Sequence, residues 1–184
     1  MKKPGIILAV TLFVFSGSNV AAQESVTDIK LDKSPLDISY HRDADKQPLA
    51  KVQYSRPSKN GRTIFGELEP FGKVWRTGAN ESSEIRFFTD VSFGGKDIPA
   101  GTYSLFTIPD EENWTVILNS ATDQWGGYSY DESKDVARVE VPAQRTAGTV
   151  ELLTIYFDGE NPAKSDLVIA WDNTVVKVPV EFNQ

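Results

Sequence analysis

The chain has no cysteine, one histidine and one methionine among its 184 residues. Without a thiol there is no disulfide to staple the fold and no lipid-attachment residue at a processing site. Zinc centres draw on cysteine and histidine, so the supply of ligands argues against one. A Ser-His-Asp triad would have to recruit His41, which lies between Tyr40 and Arg42 with no nucleophile motif near it; this histidine is expected at the surface. Basic side chains are also short, 19 against 26 acidic. A polyanion needs a basic face, so nucleic acid is not an expected partner.

Long apolar runs are missing apart from one at the start. Lys2 and Lys3 precede Ile6 to Phe15, and Val20, Ala21 and Ala22 offer small residues for cleavage. The run is too short for a membrane span of about 20 apolar residues, so residues 1–22 are expected to be a signal peptide and Gln23 the first mature residue. No stable membrane insertion is expected after cleavage, which places the protein in the periplasm or outside the cell. Without Lys2 and Lys3 the chain carries 17 basic and 26 acidic side chains, a net charge of −9.

No helical period persists beyond about ten residues, short of what a helix needs. A period of two does. After a polar, flexible leader over 23–35, Leu36, Ile38 and Tyr40 alternate, then Val52 and Tyr54, then Ile85, Phe87, Val91 and Phe93 on one face with Thr89 between them. Gly94-Gly95 and Pro99-Ala100-Gly101 read as turns, followed by strands over Tyr103 to Ile108 and Trp114 to Leu118. A loop from Ser120 to Asp135 leads to Ala137, Val139 and Val141, which alternate with Arg138 and Glu140. Val150 to Phe157 and Leu167 to Trp171 are apolar on both faces and are expected to be central. Pro179, which cannot donate to a ladder, places the last strand, Val176 to Phe182, at an edge or its proline at a bulge. About 160 residues with eight or nine short strands make one all-β domain over 36–183, a β-sandwich of jelly-roll or immunoglobulin-like type; a closed β-barrel is the alternative.

One stretch departs from this rhythm. Asn60 to Glu81 reads NGRTIFGELEPFGKVWRTGANE and holds Gly61, Gly66, Gly72 and Gly78 with Arg62, Trp75, Arg76, Asn80 and Glu81. Repeated changes of chain direction at the glycines would make the polar groups converge rather than alternate.

The segments YSRPSKNGRTIFGELEPFGKVWRTGANES, PAGTYSLFTIP and WTVILN, with WGGYSYD and a late apolar run ending in Trp171, resemble a bacterial exported family catalogued as domain of unknown function 2911. The likeness spans roughly Ser34 to Phe182 and implies a single exported β-rich domain without an assigned activity. Some members carry an asparagine synthetase label. That reaction needs a Ser-Gly-Gly-x-Asp-Ser loop and, with glutamine as donor, a cysteine; Ser92-Phe93-Gly94-Gly95-Lys96-Asp97 fits a hairpin turn instead.

The remaining candidates follow from side-chain chemistry. Trp125, Tyr128 and Tyr130 sit in a loop around Gly126 and Gly127, where aromatic faces can stack on sugars; Arg56, Arg62, Arg76 and Asn80 can supply directed hydrogen bonds. A glycan or small-molecule binding module at Arg56, Arg62, Trp75, Arg76, Asn80, Glu81, Trp125 and Tyr128 is therefore the preferred reading. The alternative for the loop is that it folds back as a cap. Glu81 and Asp131 would suit a glycoside hydrolase, and Arg76 is expected to pair with Glu81. A third reading is an envelope assembly protein whose sheet edge recruits another chain. Asp123, Asp131, Glu132 and Asp135 do not match an EF-hand spacing, so a solvated acidic loop is expected, with no metal and no cofactor.

Overall fold

A computed structural model describes residues 30–183. The expected signal peptide and the leader up to residue 29 lie outside the described residues. Residues 30–35 have no regular structure, and Pro35 already holds the domain through its carbonyl, which accepts from Arg56 N at 2.9 Å.

Among the described residues ten strands form two antiparallel sheets: β1 Leu36–Arg42, β2 Pro48–Ser55, β3 Ala79–Phe87, β4 Val91–Phe93, β5 Lys96–Ile98, β6 Gly101–Ile108, β7 Asn113–Asn119, β8 Asp135–Pro142, β9 Gln144–Asn161 and β10 Lys164–Phe182. One sheet has the order β1-β2-β3-β6-β7-β8 and the other β5-β4-β10-β9. The architecture is an all-β sandwich, and neither sheet closes into a barrel. Alternate residues point inward as the period of two requires: Val52 and Tyr54, Ile85 and Phe87, Trp114, Val116 and Leu118 meet Phe93, Leu153, Ile155, Leu167 and Ile169 across the core.

The run Ile85 to Phe93 keeps its buried face but not its sheet. Ile85 and Phe87 belong to β3, Val91 and Phe93 to β4, and the chain crosses the sandwich over Phe88–Asp90. Gly94 and Gly95, at φ 56° and 82°, then form the two-residue turn between Phe93 and Lys96, as a hairpin of that length demands.

Two expectations for the later strands are corrected. β9 is an edge strand, not a central one; Leu152 and Tyr156 are exposed on its outer face, while Leu153 and Ile155 are buried. The last strand is not at an edge, because β10 lies between β4 and β9. Pro179 is not at a bulge either. It sits opposite the Gly94–Gly95 turn, where the β4 ladder ends, and its carbonyl accepts from Gly94 N at 2.8 Å. The missing N–H therefore costs no ladder bond.

β10 doubles back on itself. Phe182 N donates to Ala163 O at 2.9 Å and Lys164 Nζ lies 2.9 Å from Glu181, although nineteen extended residues would span about 60 Å. Asp172, at φ 53°, is the left-handed residue within it. His41 is only part-exposed, contrary to the surface expected of it. Its ring lies 5.1 Å from Phe157 and 4.9 Å from Phe182, and Nε2 is 2.7 Å from Pro162 O, so it ties β1 to the opposite sheet.

Candidate functional site

The glycine-rich stretch after β2 passes alongside β6. Trp75 N donates to Thr107 O at 2.7 Å and Thr107 N returns the bond at 2.9 Å. This pairing turns Trp75 into the core, where it is 3 % exposed and its Nε1 donates to Gly78 O. Trp75 is thus a packing residue and not a ligand group.

Arg56 and Arg62 are engaged elsewhere as well. Arg56 donates from Nε to Leu153 O at 3.0 Å and from its two terminal nitrogens to Asp37 and Thr154, joining β1, β2 and β9. Arg62 donates to the Lys59 and Ser58 carbonyls and closes its own loop. Guanidinium forks in such places read as backbone staples.

The other five predicted residues are brought together. Ser82 N donates to Gln124 O, Gly126 N to Asn80 O and Asp123 N to the Glu84 carboxylate, so the loop after β7 is pinned along the start of β3 with Glu81 opposite Trp125. Gly126, at φ 70°, has the Tyr128 ring directly over it; a Cβ there would lie 2.9 Å from a ring carbon. Gly127 passes over the backbone of Val74 and Arg76. Trp125 is left 63 % exposed and Tyr128 88 % exposed. Asn80 and Glu81 also border a groove of about 450 Å³ whose other residues include Asp32, Ser34, Leu36 and Gln53. Arg76 and Trp125 adjoin this region without lining the groove.

Beneath this surface the same loop acts as a cap, over a sheet face. Phe106 and Ile117 point away from the core and are nevertheless fully buried. The Tyr130 ring packs edge-on to Phe106 at 5.1 Å, its hydroxyl donates to Asp135 at 2.6 Å and accepts from Arg138 at 2.9 Å. Burial and the Asp135 carboxylate hold the Tyr130 hydroxyl well above the ordinary tyrosine range. One loop therefore divides its aromatics, Tyr130 inward for packing and Trp125 and Tyr128 outward.

The approach to β3 is strained. Thr77, β-branched and wholly buried, sits at φ 54°, and Asn80 at φ 59°. Ser83 Oγ donates to Thr77 O at 2.8 Å, and the Thr77 hydroxyl is 3.1 Å from that of Thr107, which over-determines the turn. Its effect is to leave Arg76 under the Gly126–Gly127 loop and Glu81 exposed without pairing them: among the described residues no ion pair or hydrogen bond joins the two, correcting the pairing read from the sequence. Arg76 is half-buried, and its Nε is buried with no acceptor.

Glu69 was not legible as a site residue, being a carboxylate between Leu68 and Pro70. Burial pushes its carboxyl up to about 7, with Arg76 and then Arg62 pulling the other way. Asp131, by contrast, is held below the usual carboxylate range by Ser133, whose hydroxyl and N–H both donate to it. It caps the 3-10 turn Glu132–Lys134. A carboxylate held ionised in this way is unsuited to be the general acid of a hydrolytic pair with Glu81, since that role needs a raised pKa. Among the described residues no three histidine, aspartate or glutamate side chains cluster as a metal site.

No curated protein and no solved structure matches the chain. The family described as "Protein of unknown function (DUF2911)" matches residues 26–180, and the chain belongs to that family.

Proposed function

We propose that the protein is an exported glycan-binding module whose ligand lies along the outer surface formed by the loop after β7 and the start of β3. The observation that carries this reading is the pair Trp125 and Tyr128, exposed on a loop whose backbone is pinned to β3 beside Glu81. A sugar ring presents an apolar face for stacking and a rim of hydroxyls. Here an indole and a phenol offer the faces, and Asn80, Glu81 and Arg76 the rim donors and acceptors. The adjoining groove of about 450 Å³ gives a ligand stacked on the loop room to continue past Asn80 and Glu81.

Export belongs to the same proposal. It is supported by the charge and apolar pattern of residues 1–22. No helix among the described residues is long and apolar enough to cross a membrane. Intact mass of protein recovered from the cell envelope should begin at Gln23; retention of residues 1–22 would be wrong for it.

Affinity electrophoresis against soluble polysaccharides, followed by calorimetry with oligosaccharides of the retained type, tests the binding. Trp125→Ala and Tyr128→Ala should each abolish retardation while Tyr40→Ala, at an exposed aromatic elsewhere, leaves it intact. Equal retardation of all three variants, or none for the native protein across acidic, neutral and aminated polysaccharides, would sink the reading.

A further inference from the structure

A second concavity, separate from the Trp125 surface, lies where the β6–β7 turn, the start of β9 and the reversal of β10 meet. It encloses about 490 Å³, within the range of small-molecule sites. Its apolar side is Phe65, packed edge-on to Trp114 with centroids 4.6 Å apart, and Phe71. Phe71 is 37 % exposed and rests on Gly66, where a Cβ would come within 2.9 Å of its ring. Its charged side brings Asp110 and Glu111 into one cleft with Arg145.

These charges are unmatched. Among the described residues neither Asp110, Glu111 nor Arg145 forms an ion pair, and the bond that Asp110 accepts comes from Glu111 N. At the floor Asp172 is 7 % exposed, with Oδ2 accepting from Ile64 N at 3.3 Å; Lys59 Nζ is 3.0 Å from Oδ1, off the direction of a hydrogen bond. A purely cationic ligand would leave Arg145 without a partner, and a purely anionic one would face two carboxylates of its own sign. A zwitterion with an apolar group satisfies both signs together with the two phenylalanines.

We infer that this cleft binds a free amino acid with an apolar side chain. Its ammonium group meets Asp110 and Glu111, its carboxylate takes the Arg145 fork, and its side chain lies against Phe65 and Phe71. The inference stands independently of glycan binding, since none of these residues belongs to the Trp125 surface.

Calorimetry and saturation-transfer NMR with L-phenylalanine, L-leucine and N-acetyl-L-phenylalanine amide test it on the intact mature protein. The two zwitterions should bind saturably, and the capped amide, which lacks both charges, at least about tenfold more weakly. Arg145→Met and the double variant Asp110→Asn/Glu111→Gln, all at exposed positions, should each weaken L-phenylalanine by a similar factor, while Trp125→Ala leaves it unchanged. Absence of saturable binding up to roughly 10 mM, equal binding of the capped amide, or undiminished binding by Arg145→Met overturns the assignment.

Discussion

Trp75 and Trp171 stack with ring centroids 5.8 Å apart and planes inclined by 18°, one carried by the glycine-rich stretch and the other by β10 of the opposite sheet. Phe65 stands edge-on to both, at 6.0 and 6.3 Å, so this aromatic cluster fastens the irregular stretch to the sandwich. Trp75→Ala should cost about 3–5 kcal/mol, the scale for truncating a buried aromatic. Chemical denaturation measures it directly. A loss below about 1 kcal/mol would mean that Trp75 is not part of the core.

Arg56 joins three strands, and its geometry makes a prediction that charge alone does not. Leu153 O loses its donor if the fork is removed, so Arg56→Met should destabilise by roughly 2 kcal/mol, including the unsatisfied carbonyl. Lysine has the charge but not the planar fork, so Arg56→Lys should recover less than half of that loss. Full recovery by lysine, seen in the same denaturation series, would show that only the ion pair with Asp37 mattered.

The pH dependence of stability should carry the mark of Glu69. Its folded pKa of about 7 lies above the ordinary carboxylate value of 4.5, so the folded state holds the proton more tightly than the unfolded chain. Stability from this source is fully present below pH 4.5 and is lost as the pH rises through 7. After allowing for solvent screening of a partly exposed group the loss should be roughly 2 kcal/mol. Glu69→Gln cannot titrate, so the difference between its stability and that of the native protein should grow between pH 5 and 8. Parallel curves for the two would refute the shifted carboxyl.

Much of the sandwich was legible because burial on one face imposes the period of two, and residues such as Val52, Tyr54, Val139 and Val141 obey it. What failed were judgements about neighbours. Val150 to Phe157 is apolar on both faces and still lies at an edge, since a run of apolar residues reports burial tendency and not which strand is adjacent. Pro179 misled for a related reason: its effect depends on where the partner ladder stops. For the candidate residues, the sequence located the convergence of Arg76, Asn80, Glu81, Trp125 and Tyr128 but not the roles of Arg56, Arg62 and Trp75. Arg56 and Trp75 are consumed by partners distant in the chain, Leu153 and Trp171, and Arg62 by the carbonyls of its own loop. Phe65 and Phe71 lay in the glycine-rich stretch, yet their meeting with Asp110 and Arg145 required the tertiary fold.

The aromatics of the β7–β8 loop should separate cleanly in stability. Trp125→Ala and Tyr128→Ala remove exposed rings and should change stability by no more than about 0.5 kcal/mol. Tyr130→Phe strips one hydroxyl that Asp135 and Arg138 both use, leaving the largely buried Asp135 carboxylate short of a donor; it should cost about 1–3 kcal/mol. Thermal unfolding of the three variants decides the matter, because comparable losses at all three positions would make the whole loop a structural cap.

The strained turn at Thr77 makes the last prediction, that Arg76 and Glu81 act independently although only the four residues of one tight turn separate them. An ion pair would require their charged atoms within about 4 Å. The left-handed conformations of Thr77 and Asn80 direct the chain so that Glu81 lies opposite Trp125, while Arg76 lies beneath Gly126 and Gly127 and acts electrostatically on Glu69. In a double-mutant cycle of Arg76→Met and Glu81→Gln the coupling in stability should therefore stay within about 0.5 kcal/mol. The cycle of Arg76→Met with Glu69→Gln, measured above pH 7 where the carboxyl is ionised, should show the larger coupling, because removing the arginine then strands a half-buried charge. If the ranking were reversed, with Arg76 coupled to Glu81 and not to Glu69, the placement of the arginine beneath the loop would be wrong.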